Sequence, residues 1–113
     1  MKPITIIAPR FLKALSIIID IYAITLWPFI ISREDMSEDV FNHESIHIAQ
    51  QKELLVLFFY LLYGWDYFMG LIKYKDKEKA YYRIRFEQEA YENMYNQKYL
   101  TERKLYSWRK YKV

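Results

Sequence analysis

The stretch NHESIHIAQQ, residues 42–51, holds both histidines of this 113-residue chain, four positions apart, with a glutamate directly after the first. On an α-helix, residues i and i+4 differ by about 40° in azimuth and about 6 Å along the axis. His43 and His47 therefore present both imidazoles on one face, where they can share a tetrahedral Zn2+. Glu44 falls about 100° from His43 and about 60° from His47, at the margin of that face. From there a carboxylate reaches a water held at the metal rather than the metal itself, and can take its proton. The spacing H-E-x-x-H thus supplies two ligands and one general base. The neighbours Phe41, Ile46, Ile48 and Ala49 imply a buried helix, and buried imidazoles need partners.

Composition narrows where a third ligand can come from. With 0 Cys, disulfides, thiolate nucleophiles and sulfur-ligated zinc are excluded, so the ligand set is limited to His and carboxylate. Only 2 Gly are present, and no glycine-rich phosphate loop appears. Hydrophobic residues make up 53% and aromatics 19%, enough apolar material for one core, and residues 1–113 read as a single small domain.

The downstream stretch FEQEAYEN, residues 86–93, offers Glu87, Glu89 and Glu92. On a helix, Ala80, Ile84, Glu87, Tyr91 and Met94 line one stripe that carries a single carboxylate. Glu89 lies about 200° from Glu87 and is expected to face solvent or a different layer. Glu92, beside Gln88 and Asn96, reads as a solvated surface residue. Glu87 is the expected third ligand.

Around these segments the chain reads as α+β and mainly helical, with short edge strands at the N-terminus. Residues 22–32, YAITLWPFIIS, are β-branched and aromatic, and Pro28 makes that strand an edge or a bent one. ITII at 4–7 can partner it. Ser37 is the expected N-cap of the histidine helix, with Glu38 and Asp39 favouring its first turn. No Gly or Pro follows until Gly64, which suggests a helix of about six turns or more, straight or bent. Gly70 and KYKDKEK (73–79) mark a turn, a second helix covers part of 80–97, and the tail from 98 forms a short third one.

Two apolar runs, 14–31 and 53–72, approach membrane-spanning length, each with an embedded aspartate, Asp20 and Asp66. A straight crossing by 53–72 would be about 30 Å long and would separate His47 from Glu87 across the bilayer. A shared metal therefore requires the run to turn back. Gly64 or Gly70 is the expected turning point, with Leu55, Phe58, Leu62 and Phe68 buried in the protein or at a membrane surface. Lys2, Arg10 and Lys13 precede an apolar stretch without a small-residue cleavage site, so no cleaved signal peptide is expected. The expected location is cytoplasmic or peripherally membrane-associated. The tail carries Lys98, Arg103, Lys104, Arg109, Lys110 and Lys112 against Glu102, with aromatics interleaved. It reads as side chains closing over the core, and no nucleic-acid partner is expected.

HESIH followed downstream by FEQEAY resembles the gluzincin class of zinc metallopeptidases. In that class two histidines of HExxH and a glutamate from a later helix bind zinc. The downstream pattern is similar to the ExxAD segment of integral-membrane and related peptidases, whose first Glu is the ligand, and this falls on Glu87. The resemblance implies one Zn2+ per chain on His43, His47 and Glu87, with Glu44 as catalytic base. It also implies a peptide or protein substrate lying along an edge strand. One position departs from the pattern: the family's aspartate, which orients a zinc-bound histidine, is Tyr91 here. A phenol accepts a hydrogen bond from imidazole but brings no carboxylate charge. The alternative expectation is a non-catalytic zinc-binding or membrane-associated scaffold.

Overall fold

Ser37 opens the central helix of the protein. The computed structural model describes residues 4–10, 23–32 and 36–113. In it α1 spans Glu38–Glu53, and the Ser37 side chain accepts from the Val40 amide at 3.2 Å, with Glu38 and Asp39 in the first turn. Asn42, His43, Ile46, His47, Gln50 and Gln51 are all buried. The apolar segment 14–22 with Asp20, and residues 33–35 of the acidic loop, lie outside the described residues.

At the N-terminal side, β1 (Ile4–Ile7), β2 (Ala23–Leu26) and β3 (Phe29–Ser32) form one sheet in the order β1-β3-β2. β2 and β3 are an antiparallel hairpin turned at Trp27–Pro28, whose peptide bond is cis. β1 pairs with β3 in parallel, Ile4 opposite Phe29 and Ile7 opposite Ser32. The expected single strand at 22–32 is thus two strands, because proline removes a ladder donor and favours a turn. β2 forms the sheet edge beside α1.

α1 is shorter than the sequence suggests. The chain breaks at Leu54–Val56 and re-forms as α2, Leu57–Tyr74, bent by 115° from α1. Two hydrogen bonds close the end of α1, Leu55 N–H to the Lys52 carbonyl (3.4 Å) and Val56 N–H to the Gln51 carbonyl (2.7 Å). Leu55 and Val56 both take positive φ, 53° and 62°, and Leu57 N–H bonds back to the Leu55 carbonyl in a γ-turn. Non-glycine residues rarely adopt such φ, so the turn carries no glycine signal in the sequence.

The expectation that 53–72 turns at Gly64 or Gly70 is therefore corrected. α2 runs through both glycines, and the reversals lie before and after it. Lys75, in the left-handed conformation, ends α2 and leads to α3, Lys77–Tyr82, capped by Asp76. Gly70 serves close packing: a Cβ there would meet the Ala80 Cα and Cβ at 3.0 Å. No single helix among the described residues is long and apolar enough to cross a membrane.

α4 (Arg85–Asn93) carries Glu87 back to α1. Its start is fixed by Asp66 on the inner face of α2, 1% exposed. That carboxylate accepts from the Arg85 amide (3.1 Å), Nε (2.8 Å) and Nη2 (2.8 Å). A bidentate guanidinium pair adds geometric specificity as well as energy. α5 (Tyr99–Glu102) and a 3-10 turn (Ser107–Lys110) follow, and Trp108 enters the core with Phe59, Ile84 and Phe86. The tail thus closes over the core. Of the apolar residues expected in the protein or at a membrane surface, Leu62 packs against that core, whereas Leu55, Phe58 and Phe68 are exposed on the protein.

The two glycines give opposite predictions. Gly64→Ala meets nothing within 4 Å, and should stabilise the protein by about 0.5–1 kcal/mol through helix propensity. Gly70→Val forces the α2–α3 contact apart and should destabilise by about 1–3 kcal/mol. Thermal unfolding of both variants checks the pair: equal shifts would contradict the close packing at Gly70.

Candidate metal centre

α1 and α4 run antiparallel, and side chains of α1 hold both ends of α4. At one end the Asn42 amide donates to the carbonyls of Asn93 (3.3 Å), Met94 (2.9 Å) and Asn96 (3.0 Å). These carbonyls lie at the end of α4 and in the turn after it, where the Asn93 and Asn96 carbonyls also accept from the Asn96 and Tyr99 amides (3.1 and 3.0 Å). At the other end the Gln50 amide donates to the Phe86 carbonyl (3.1 Å). Between these ties lie His43 and His47, and Glu87 faces them from the first turn of α4.

Glu87 Oε1 stands 3.0 Å from Nε2 of His43 and 3.0 Å from Nε2 of His47. All three residues are buried, and one ligand atom from each lies within 4.8 Å of the others, close enough to hold a metal ion. The structure thus brings together the three residues read from the sequence as ligands. Two imidazole nitrogens and a carboxylate oxygen suit zinc and other first-row divalent ions.

Each ligand is held by a neighbour. Tyr63 of α2 donates to Glu87 Oε2 at 2.5 Å. Burial and the Glu87 charge push the Tyr63 pKa well above 10, so the phenol keeps the proton it donates. His47 Nδ1 lies 2.7 Å from Gln50 Oε1, which selects the tautomer that protonates Nδ1 and turns Nε2 toward Glu87. Gln50 in turn donates to Glu89 Oε1 (2.9 Å). Arg103, from the segment after α5, pairs with both Glu89 and Glu53. The chain Arg103–Glu89–Gln50–His47 thus ends on a ligand.

The sequence does not point to Gln50, and it offers Glu89 only as a ligand candidate less suited than Glu87. Glu89, expected to face solvent or a different layer, is fully buried, because Arg103 and Tyr99 fold over it from the tail. Those two hydrogen bonds and that of Gln50 outweigh burial and hold its pKa below the ordinary carboxylate value. Glu92 is exposed, as expected.

Tyr91 gives His43 no hydrogen bond. Its ring packs edge-on against His43, centroids 4.3 Å apart, and its hydroxyl meets that of Tyr81 at 2.9 Å. His43 Nδ1 is buried with no hydrogen-bond partner among the described residues. Beyond their shared contact with Glu87, His43 is thus held by the Tyr91 ring and His47 by the Gln50 side chain.

Glu44 is buried beside the group but outside the set of three ligand atoms. Its Oε2 accepts from the Thr25 hydroxyl of β2 at 2.6 Å. The sheet edge approaches the centre here, and Gln51 closes part of it. The Gln51 amide accepts from Trp27 N–H (3.1 Å) and donates to the Thr25 carbonyl (3.2 Å), which Tyr60 also contacts. A side-chain amide thus fills the place of a peptide group along β2.

Without an ion, burial works to lower the pKa of His47, but the charge and hydrogen bond of Glu87 prevail and raise it from 6.5 to about 9. Burial favours the neutral form of Glu87, and the two histidines outweigh it and hold the carboxyl far below its usual range. Comparison with protein-family models, curated proteins and solved structures gives no match.

Two measurements test the centre. At pH 7 the metal-free site holds a proton on His47, so binding of Zn2+ should release about one proton per ion. Apparent affinity should then rise roughly tenfold per pH unit until about pH 9. Calorimetric titration in buffers of different ionisation enthalpy reads the proton directly, and a pH-independent affinity would contradict the pairing. In the metal-free protein the His47–Glu87 pair stabilises fully below pH 6.5 and loses that contribution as pH rises through about 9. Gln50→Leu should weaken Zn2+ binding about 10–100-fold by freeing the His47 ring.

Proposed function

We propose that this protein is a zinc-dependent metallopeptidase of the gluzincin kind. The observation that carries the reading is the convergence of both HExxH histidines and a glutamate from a later helix on one buried point, with Glu44 beside it. His43, His47 and Glu87 would hold one Zn2+. When bound there, zinc supplies Lewis acidity that polarises a carbonyl and lowers the pKa of water. Glu44 takes the proton of the attacking water and returns it to the leaving amine, the usual double duty of a general base. Thr25 fixes the Glu44 carboxylate through Oε2 and leaves Oε1 for that proton. Tyr63 keeps Glu87 oriented, and Gln50 keeps His47 in the tautomer that ligation needs. An extended peptide would pair with β2 by strand addition, N-terminal to the stretch that Gln51 occupies.

A second reading, a zinc-holding protein without turnover, is favoured by one observation. Gln51 already satisfies the Thr25 carbonyl and the Trp27 amide, and Thr25 is the residue whose hydroxyl holds Glu44. A peptide at that register must displace it.

Glu44→Gln separates the two. Zinc stoichiometry should stay unchanged, since Glu44 is not one of the three ligands. Cleavage of a peptide library should fall by about 100-fold or more, the usual contribution of a general base. Zinc-loaded wild-type protein that cleaves no library member would favour the second reading.

A further inference from the structure

α2 has two faces, and only one of them meets the protein. Phe59, Leu62, Tyr63, Asp66, Tyr67 and Gly70 point inward, to the core, to Glu87, to Arg85 and to α3. On the opposite side Leu57, Phe58, Leu61, Trp65, Phe68 and Ile72 are between 48% and 63% exposed, and Met69 adds to them. By helical geometry these side chains fill an arc of about 120° that carries no polar side chain over a length of about 22 Å. Such a stripe exposes on the order of 800 Å² of apolar surface, more than a water-facing patch normally shows. Leu55, at 75% exposure in the left-handed turn, adjoins its start.

Charge selects what covers it. Directly beyond the stripe come Lys73, Lys75, Lys77 and Lys79, all exposed, against Asp76 and Glu78. The Lys73 and Lys79 ammonium groups lie 5.3 and 4.6 Å from the centre of the Tyr74 ring, which draws them together at the end of α2. Lysine is depleted in protein–protein interface cores, whereas a lysine cluster beside an apolar, aromatic helix face is complementary to anionic headgroups above acyl chains. The face is also too short and too one-sided to cross a bilayer, since the other side of the helix is committed to the core.

We infer that the outer face of α2 is a docking surface for an anionic lipid bilayer, on which the helix lies in the plane of the interface. Tyr63, Asp66 and Gly70 then face away from the lipid, and the candidate metal centre rests on the protein side of the same helix. Neither metal nor turnover enters the measurement, so it stands apart from the peptidase reading.

Cosedimentation of the purified full chain with phosphatidylcholine vesicles, with and without phosphatidylserine, tests it. Binding should be about tenfold stronger or more with phosphatidylserine and should weaken with added salt. Leu61→Glu with Trp65→Glu should abolish binding while helical circular dichroism and the thermal unfolding transition stay unchanged. Lys75→Glu with Lys77→Glu, which leaves the apolar face intact, should remove the preference for anionic vesicles. Equal partition onto both vesicle types, or none onto either, overturns the inference. So does a concentration-dependent dimer that the Leu61/Trp65 variant dissolves, which would assign the face to a second copy. Retention of the chain in vesicles through carbonate extraction would mean insertion across the bilayer and would overturn it as well.

Discussion

One oxygen atom organises this protein. Glu87 Oε1 sits 3.0 Å from the Nε2 atoms of His43 and His47, in a place closed to solvent. A lone buried carboxylate is costly, so something positive must accompany it. In the metal-free protein that partner is a proton on His47. In the proposed zinc form the cation replaces the proton and uses the same three atoms. The fold is therefore built to hold one positive charge at this point.

Everything that brings α4 to α1 serves that convergence. Asn42 and Gln50 hold the two ends of α4, and Asp66 fixes its first residue from α2. Tyr63, one turn before Asp66 on the same inner face, orients the carboxylate itself. The tail contributes through Arg103, which pairs with Glu53 at the end of α1 and Glu89 of α4. With a single small core built on Phe59, Ile84, Phe86 and Trp108, these polar ties specify which helix faces meet. The division of α2 into a polar-paired inner face and an apolar outer one follows from the same arrangement.

Much of this could be read from residue order alone. Helical spacing put His43, Glu44 and His47 together, and the stripe from Ala80 to Met94 selected Glu87 over Glu89 and Glu92. Ser37 announced the start of α1. Three features were not legible, each for a physical reason. The break after Glu53 uses Leu55 and Val56 at positive φ, where glycine or asparagine would have signalled it. Gly64 and Gly70 suggested turns, yet both lie inside α2, and Gly70 is required by the nearness of Ala80 across the helix pair. Glu89 is buried because Arg103 and Tyr99 return from the end of the chain, and Gln50 joins it to His47, contacts that local pattern cannot show.

The two histidines are supported differently: the Tyr91 ring packs against His43, and the Gln50 side chain bonds His47 Nδ1. The most direct test of the account is a crystal structure of the zinc-loaded protein with anomalous scattering measured at the zinc edge. The account predicts one peak, about 2 Å from Nε2 of His43, Nε2 of His47 and a carboxylate oxygen of Glu87. A peak elsewhere, or a zinc-saturated crystal with no peak between these residues, would contradict it.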